Sequence, residues 1–357
     1  MPTLLILTAG YGEGHNAAAR GLLAAAQHLG VDAEIADPFV AMGPAYDRSR
    51  RDYLTLINRA PRLWAAAFKL IDRLPIVEFS LPLLASVKEE LSRLLHEKQP
   101  DVVISVYPAY SFLIARLFPP RRPFAFHTVV TDSITINRVW HQAASDLWIV
   151  PNECTADVMR AQGIPADRLQ ILGFPVDPRF ALARPARPAP VPNARVLFMI
   201  NAGKEMAPAV VSHLLDLRGV QLTVTVGRDE ELRRQVETAA AGRPIEIHGW
   251  IPNMPELLMT HHLLIGKAGG AAVQETIAAR TPMLITHIVP GQEEGNARLL
   301  IEQGCGAFCP TPEALSEQSR QLFSDDAREW HRWEQNISAI SRPDAALEIV
   351  GRLAGAP

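Results

Sequence analysis

Short, unbroken apolar runs alternate with longer amphipathic or alanine-rich stretches along most of the chain. Residues 4–8 are continuously apolar up to Thr8, as expected of a strand covered on both faces. An alanine-rich helix follows over 15–29, and further strands are predicted at 33–36, 102–106, 124–130 and 147–150. A second series opens at 195–200 and continues through 221–226, 245–248, 263–265 and 283–286. Strands that alternate with helices predict parallel sheets joined by crossover helices, an α/β architecture. Between Gly173 and Asn193 lie six prolines and little periodicity, which predicts a linker between the two series. The last segment, 326–353, reads as helical. Trp330, Trp333, Ile337 and Ile340, then Leu347 and Val350, fall on its apolar faces.

The chain has 357 residues, enough for two domains, and 48% of them are hydrophobic, enough for two cores. Its formal net charge of −3 argues against nucleic acid as a partner. No apolar run reaches the length of a membrane-spanning helix. The start, MPTLLILTAGYG, has no basic residues and breaks at glycine, so it is expected to be a first strand rather than a signal peptide. Cys154, Cys305 and Cys309 have no companions at metal-ligand spacing, which suggests free thiols in a reducing cytoplasm. Charge is uneven locally. Residues 47–73 carry seven basic and three acidic side chains, interleaved with Tyr53, Leu54, Leu56, Ile57, Trp64, Phe68 and Ile71. That pattern suits either an anionic membrane surface or a helix packed on its own domain with a solvated basic face.

The most informative stretch is 265–304. It reads as strand, glycine pair, helix, strand, polar loop and helix. Gly269 and Gly270 let backbone approach an anion without an intervening Cβ. The next helix directs its first N–H groups and positive dipole end to the same place. Glu275 lies just over one turn into that helix, where a carboxylate is placed to take two sugar hydroxyls. Pro290-Gly291-Gln292-Glu293 brings polar groups to the end of the following strand. Together these fit a nucleotide diphosphate-sugar.

A second glycine-rich loop, Thr8-Ala-Gly-Tyr-Gly-Glu-Gly-His15, joins the first strand to the first helix. Near a helix N-terminus the imidazole of His15 is disfavoured as a cation and can accept a proton. Gly10, Gly12 and Gly14, with Asp37 beyond the second strand, partly mimic a dinucleotide fingerprint. The third glycine is one position early for it, and His15 stands where it should be.

The downstream pattern resembles the C-terminal half of GT-B glycosyltransferases of the monogalactosyldiacylglycerol synthase and processive diacylglycerol glucosyltransferase type, which are related to the lipid-linked GlcNAc transferase of peptidoglycan synthesis. It stands here as Lys267-Ala268-Gly269-Gly270, Glu275-Thr276, Pro290-Gly291-Gln292-Glu293 and Asn296-Ala297. Val130-Thr131-Asp132, Trp140-His141, Asp146 and Gly173-Phe174-Pro175-Val176 extend the resemblance into the first half. It implies two Rossmann-like domains with a donor/acceptor cleft between them. Residues 1–174 would be an acceptor domain with a membrane-facing segment, 175–193 the linker, 194–325 the UDP-sugar domain, and 326–357 a C-terminal helix packing back on the first domain.

The same resemblance implies a base at His15, with Gly12, Gly14 and Trp140 near the acceptor. Asp132 would orient His15, touch the acceptor headgroup or cap a turn, and Trp140 would line the acceptor path or simply pack. Uracil would sit by Trp250 and Ile251, and the pyrophosphate at Gly269, Gly270 and Ala271, with Gly203 and Lys267 nearby. Gln292, Glu293 and Asn296 would reach sugar hydroxyls. No Asp-x-Asp motif occurs, so no metal and no separate cofactor are expected. The implied reaction is an inverting transfer of a hexose from a UDP-sugar to a lipid, with diacylglycerol the expected acceptor, at the cytoplasmic membrane surface by a peripherally attached enzyme. Three positions depart from the pattern: Gly203 is the sole glycine of the 201–208 loop, Ala268 replaces a proline, and Ala272 replaces a hydroxyl residue. A UDP-sugar 2-epimerase of the same fold and a catalytically weak nucleotide-sugar-binding protein are the competing readings. The sequence does not choose between glucose, galactose or another sugar.

Overall fold

The computed structural model describes residues 2–73, 84–291 and 293–355. The chain forms two compact units, Met1–Pro178 with Val289–Gly295 and Asp344–Pro357, and Arg179–Ile288 with Asn296–Pro343. Each is built on one parallel six-stranded sheet with helices packed on it.

In the first unit the strands are β1 (Leu4–Leu7), β2 (Ala33–Ala36), β3 (Val102–Ser105), β4 (Ala125–Val129), β5 (Leu147–Val150) and β6 (Leu169–Ile171). Their spatial order is β2-β1-β3-β4-β5-β6, so the chain reverses its direction of growth between β1 and β3. Leu4 to Leu7 are all buried, as an apolar run covered on both faces requires. Helix α1 (Glu13–Leu29) buries Ala18, Ala19, Gly21, Leu22, Ala25 and Ala26. Its small residues permit close approach. A Cβ on Gly21 would stand 2.1 Å from the carbonyl oxygen of Pro175. The helix Ala345–Ala354 packs on α1 and buries Ala345, Ala346, Ile349 and Val350.

In the second unit the strands are β7 (Ala194–Met199), β8 (Val220–Thr225), β9 (Glu246–His248), β10 (Leu263–Gly266), β11 (Met283–Ile285) and β12 (Gly306–Phe308). Their order is β12-β11-β10-β7-β8-β9, with the reversal between β7 and β10. Trp330 and Trp333, three apart on the helix Arg328–Ala339, enter this unit's core, and the indole of Trp330 donates to the His262 carbonyl at 2.6 Å. The predicted C-terminal helix is therefore two. The tryptophans hold the first in the second unit, and only the helix Ala345–Ala354 belongs to the first unit.

The proline-rich stretch is anchored rather than free. Phe180 is fully buried, and Arg187 donates to the carbonyls of Met259, Ala279 and Arg280 at 3.0, 2.8 and 2.8 Å. Prolines lack N–H donors, so side chains make the attachment. Arg187 satisfies the unpaired carbonyls that end the helix Gly270–Ala279.

His262 is fully buried in the second unit. The Arg195 N–H donates to its Nδ1 at 2.8 Å, and its Nε2–H donates to the Pro188 carbonyl at 2.9 Å. Burial pushes its pKa down to about 4 from 6.5. A buried neutral histidine favours folding above its unfolded pKa, and that contribution drains away as pH falls from 6.5 toward 4. The loss is up to about 3 kcal/mol for this group. Denaturant titrations at pH 7.5 and 5 should show the drop, and a His262→Gln variant should show less of it. Identical pH dependence in the two proteins would remove this account.

Candidate active site

Ligands of parallel α/β sheets bind at the carboxyl ends of the strands where the chain reverses its direction of growth. The first unit's reversal lies between β1 and β3, and the glycine-rich loop leaves β1 there. Its backbone is gripped by the helix Pro44–Arg59: the Gly10 N–H donates to the Tyr46 hydroxyl at 2.5 Å, and Arg50 Nε donates to the Gly10 carbonyl at 2.8 Å. The Tyr46 hydroxyl donates onward to Asp37 at 2.6 Å, and Asp37 also accepts from the Phe39 N–H at 3.0 Å. Asp37 is thus engaged within this network.

The loop delivers His15, the third residue of α1, to the end of β3. Its Nδ1 lies 2.8 Å from the Val106 carbonyl oxygen and 2.9 Å from the Thr131 hydroxyl. A carbonyl can only accept, so Nδ1 carries the proton and Nε2 holds the basic lone pair. The Tyr107 ring stands edge-on to the imidazole at 5.1 Å. Burial lowers the His15 pKa to about 4, against the bond to Val106, which raises it. The ring is therefore neutral at physiological pH. Gly12, at the N-cap of α1, has no side-chain cap, so the first N–H groups of that helix are not satisfied by a capping side chain.

Asp132 follows β4 and accepts from the Trp140 indole at 2.7 Å. Burial raises its pKa to about 6, and the bond to Trp140 opposes the rise. The groups that fix His15 are Val106 and Thr131, which sequence reasoning missed. Trp140 is 1% exposed, so it packs in the core and holds Asp132 rather than presenting a ring to an acceptor. Because the folded carboxyl has the higher pKa, its contribution to folding is complete below pH 3.8 and is lost as pH rises through about 6. Asp132→Asn should therefore raise unfolding free energy at pH 8 by up to about 3 kcal/mol. Denaturant melts at pH 8 and pH 3.5 check this, and an equal effect at both would contradict it.

In the second unit the reversal lies between β7 and β10. The loop 267–269 after β10 opens the helix Gly270–Ala279, whose N-cap Gly269 has no side-chain cap. An uncapped helix start with glycine at the mouth is suited to an anion. The loop is pinned from two sides: the Ala268 N–H donates to the His287 carbonyl at 3.0 Å, and Asn296 Nδ2 donates to the Ala268 carbonyl at 3.2 Å. Asn296 is 3% exposed, so it positions the loop and is not an open sugar contact. Ala271 is the second residue of the helix and Glu275 its sixth, both partly buried, and Lys267 precedes it.

Trp250 is 68% exposed, with the Arg228 guanidinium 5.6 Å from its ring centroid, so it is a surface aromatic and not a core residue; Ile251 beside it is half-buried. Gly203 adopts the left-handed conformation (φ 62°), and a Cβ there would stand 2.0 Å from the His287 ring. Only glycine fits beneath that imidazole. His287, whose Nδ1 is buried with no hydrogen-bond partner among the described residues, was also missed by sequence reasoning. A histidine just beyond a strand and shortly before the Pro-Gly-Gln-Glu loop was the available signal. Lys204 is paired with Asp229 at 2.6 Å, so its charge does not stand in for the absent glycines of that loop.

Of that Pro-Gly-Gln-Glu loop, Gly291 and Glu293 fall in the first unit, and Gln292 lies outside the described residues. Glu293 is 6% exposed and accepts from the Val289 N–H at 2.9 Å, closing the loop on itself. A Cβ on Gly295 would stand 1.9 Å from the Ser133 carbonyl oxygen, next to Asp132.

Residues 15–176 match the monogalactosyldiacylglycerol synthase family and residues 204–346 the C-terminal domain of glycosyltransferase family 28. The chain belongs to the GT-B glycosyltransferases of the monogalactosyldiacylglycerol synthase type. A probable monogalactosyldiacylglycerol synthase of Glycine max is 26% identical over 97% of this chain and 70% of its own length. A processive diacylglycerol beta-glucosyltransferase of Bacillus cytotoxicus is 25% identical over 98% of this chain and 92% of its own. Among solved structures, MurG of Acinetobacter baumannii superposes with TM-score 0.63 at 16% identity, covering 99% of this chain and all (100%) of that one. The S. aureus MnaA–UDP structure gives TM-score 0.63 at 13% identity, covering 99% and 96%. The glycosyltransferase's two glycine-rich helix starts therefore stand at the two places where its sheets reverse.

Proposed function

We propose that the protein transfers a hexose from a UDP-sugar to a lipid hydroxyl, with diacylglycerol as the acceptor, by direct displacement with inversion and without a metal ion. The observation that carries this reading is the fixed tautomer of His15. Val106 holds the proton on Nδ1 and so leaves Nε2 to take the acceptor's. As the acceptor oxygen attacks the anomeric carbon, its proton passes to Nε2 and the bond from that carbon to the UDP oxygen breaks. The charge that develops on the departing diphosphate is met by backbone N–H groups and the dipole at the start of the helix Gly270–Ala279. Such donors act through preorganisation and need no rearrangement during the reaction. The names of the relatives from Glycine max and Bacillus cytotoxicus support diacylglycerol as acceptor.

The test is incubation with radiolabelled UDP-glucose or UDP-galactose and diacylglycerol liposomes, with and without chelator. Labelled lipid formed equally in both supports the transfer and its independence of a metal, and the anomeric configuration of that product reads the inversion. Label in lipid only without chelator removes the metal-free part, and no labelled lipid at all removes the function.

A lipid acceptor requires docking at a bilayer, on the cytoplasmic side in this reading. The helices Pro44–Arg59 and Pro61–Arg73 pack on each other and leave Leu54, Leu63 and Leu70 at 48%, 67% and 50% exposure. The side chains of Arg59, Arg62, Lys69 and Arg73 lie outside the described residues. Among those described, no helix is long and apolar enough to cross a membrane. Basic residues near an anionic leaflet contribute about 1 kcal/mol each. Flotation with anionic liposomes should therefore retain the protein at low salt and release much of it at high salt. Retention that ignores salt would count against an electrostatic attachment.

A further inference from the structure

The arginines of the proline-rich stretch line an open groove of about 330 Å³, together with Met259, Arg280, Trp330, His331 and Glu334. Three guanidinium groups, Arg184, Arg187 and Arg280, stand on it against one carboxylate, Glu334. This is an uncommon balance for one groove, because neighbouring like charges disfavour one another.

The three arginines differ in what already occupies them. Arg187 is largely used: it donates to three carbonyls and, at 2.7 Å, to the Thr281 hydroxyl. Arg184 makes one long bond, 3.3 Å, to the Ala279 carbonyl. The Nε of Arg280 is buried without a hydrogen-bond partner among the described residues. A buried donor on a charged group is costly to leave unmade. Burial, and then repulsion from Arg280, lowers the pKa of Arg184. Burial also takes that of Arg187 down to about 10, with Glu334 opposing and the neighbouring arginines adding to the fall. Arg280 ends the helix Gly270–Ala279 in the left-handed conformation (φ 55°).

We propose that this groove binds a phosphate dianion, free or as the headgroup of a phosphomonoester lipid, held by Arg184 and Arg280 above a shelf formed by Arg187. The planar forks of guanidinium groups match phosphate oxygens two at a time, and a dianion balances the surplus of two positive charges left after Glu334. Its volume leaves room for an ester substituent beyond the anion. The site lies at the opposite end of the helix Gly270–Ala279 from the glycine pair, roughly 15 Å away at 1.5 Å per residue. It is therefore separate from the place proposed for the donor diphosphate and does not depend on that reading.

Calorimetric titration with inorganic phosphate, against chloride at equal ionic strength, tests this on the full chain and on an Arg184→Gln/Arg280→Gln variant. Saturable phosphate binding is expected, weakened at least about tenfold in the double variant, as loss of a charge-assisted hydrogen bond implies. Phosphate bound at the helix start by Gly270 would be insensitive to these changes. Equal affinity in the two proteins, or no binding beyond chloride, overturns the proposal. Should the double variant fail to fold, Arg184→Gln alone is read instead, since Arg184 is exposed and weakly bonded, and unchanged affinity there is equally fatal. Vesicles containing phosphatidic acid separate the two sources. Retention that falls in the variant assigns a lipid headgroup, whereas a phosphate response with unchanged retention assigns the soluble anion, and both results keep the site.

Discussion

Replacing His15 with alanine should slow sugar transfer by about 10²–10⁴-fold, the usual contribution of a positioned general base. Affinity for UDP should stay within about twofold of the parent, because nothing that holds the diphosphate is altered. The physical reason lies in the ring's two nitrogens. Val106 fixes one as donor, so the other is a lone pair at every pH above about 4. The pH profile carries the sign. A base whose pKa is depressed loses function only as pH falls toward 4, so transfer should be level on that account from pH 5 upward. An inflection near 6 would instead report Asp132, and Asp132→Asn should abolish it. Initial rates and calorimetry on His15→Ala decide the matter. A variant that keeps a tenth or more of the parent's rate would exclude His15 as the base.

The second large effect is expected on binding rather than on rate. Glu275→Ala should raise the dissociation constant for UDP by about 10–100-fold, the scale of losing hydrogen bonds to a charged group. Glu275 lies one turn and a half beyond the uncapped Gly269, on the helix whose start is the candidate diphosphate seat. Glu275→Gln should recover part of the loss, since an amide still accepts from a hydroxyl. A general collapse of the helix would not be rescued in this way. UDP affinity unchanged in the alanine variant would remove Glu275 from the donor site.

Both candidate half-sites were legible in the sequence because glycine clusters between a strand and a helix have few other physical uses. Ten of the twelve strands were legible too, as short apolar runs or alternations between helical stretches. The two that escaped, β6 and β12, are three-residue sheet edges without a strong apolar signal: Gln170 interrupts the first and Gly306 opens the second. Long-range partners escaped for a different reason. Thr131 lies 116 residues from His15 and Val106 lies 91 away, so only the topology that places β3 beside β1 brings them together. For Trp140 the sequence left lining the acceptor path and packing both open, because its bond to the buried carboxyl of Asp132 is visible only in the fold. The arginines of the proline-rich stretch were invisible as anchors, since their carbonyl partners belong to a helix end about 90 residues further on.

The way the first unit is assembled has a consequence for its birth on the ribosome. Its sheet is complete by residue 171, but the face of α1 stays bare until residues 344–357 have been made. That face is lined by small apolar residues that water should not see for long. A nascent chain therefore holds an unfinished half for as long as the whole second unit takes to be translated. During that interval the exposed face is one that the cell's holding factors would be expected to shield.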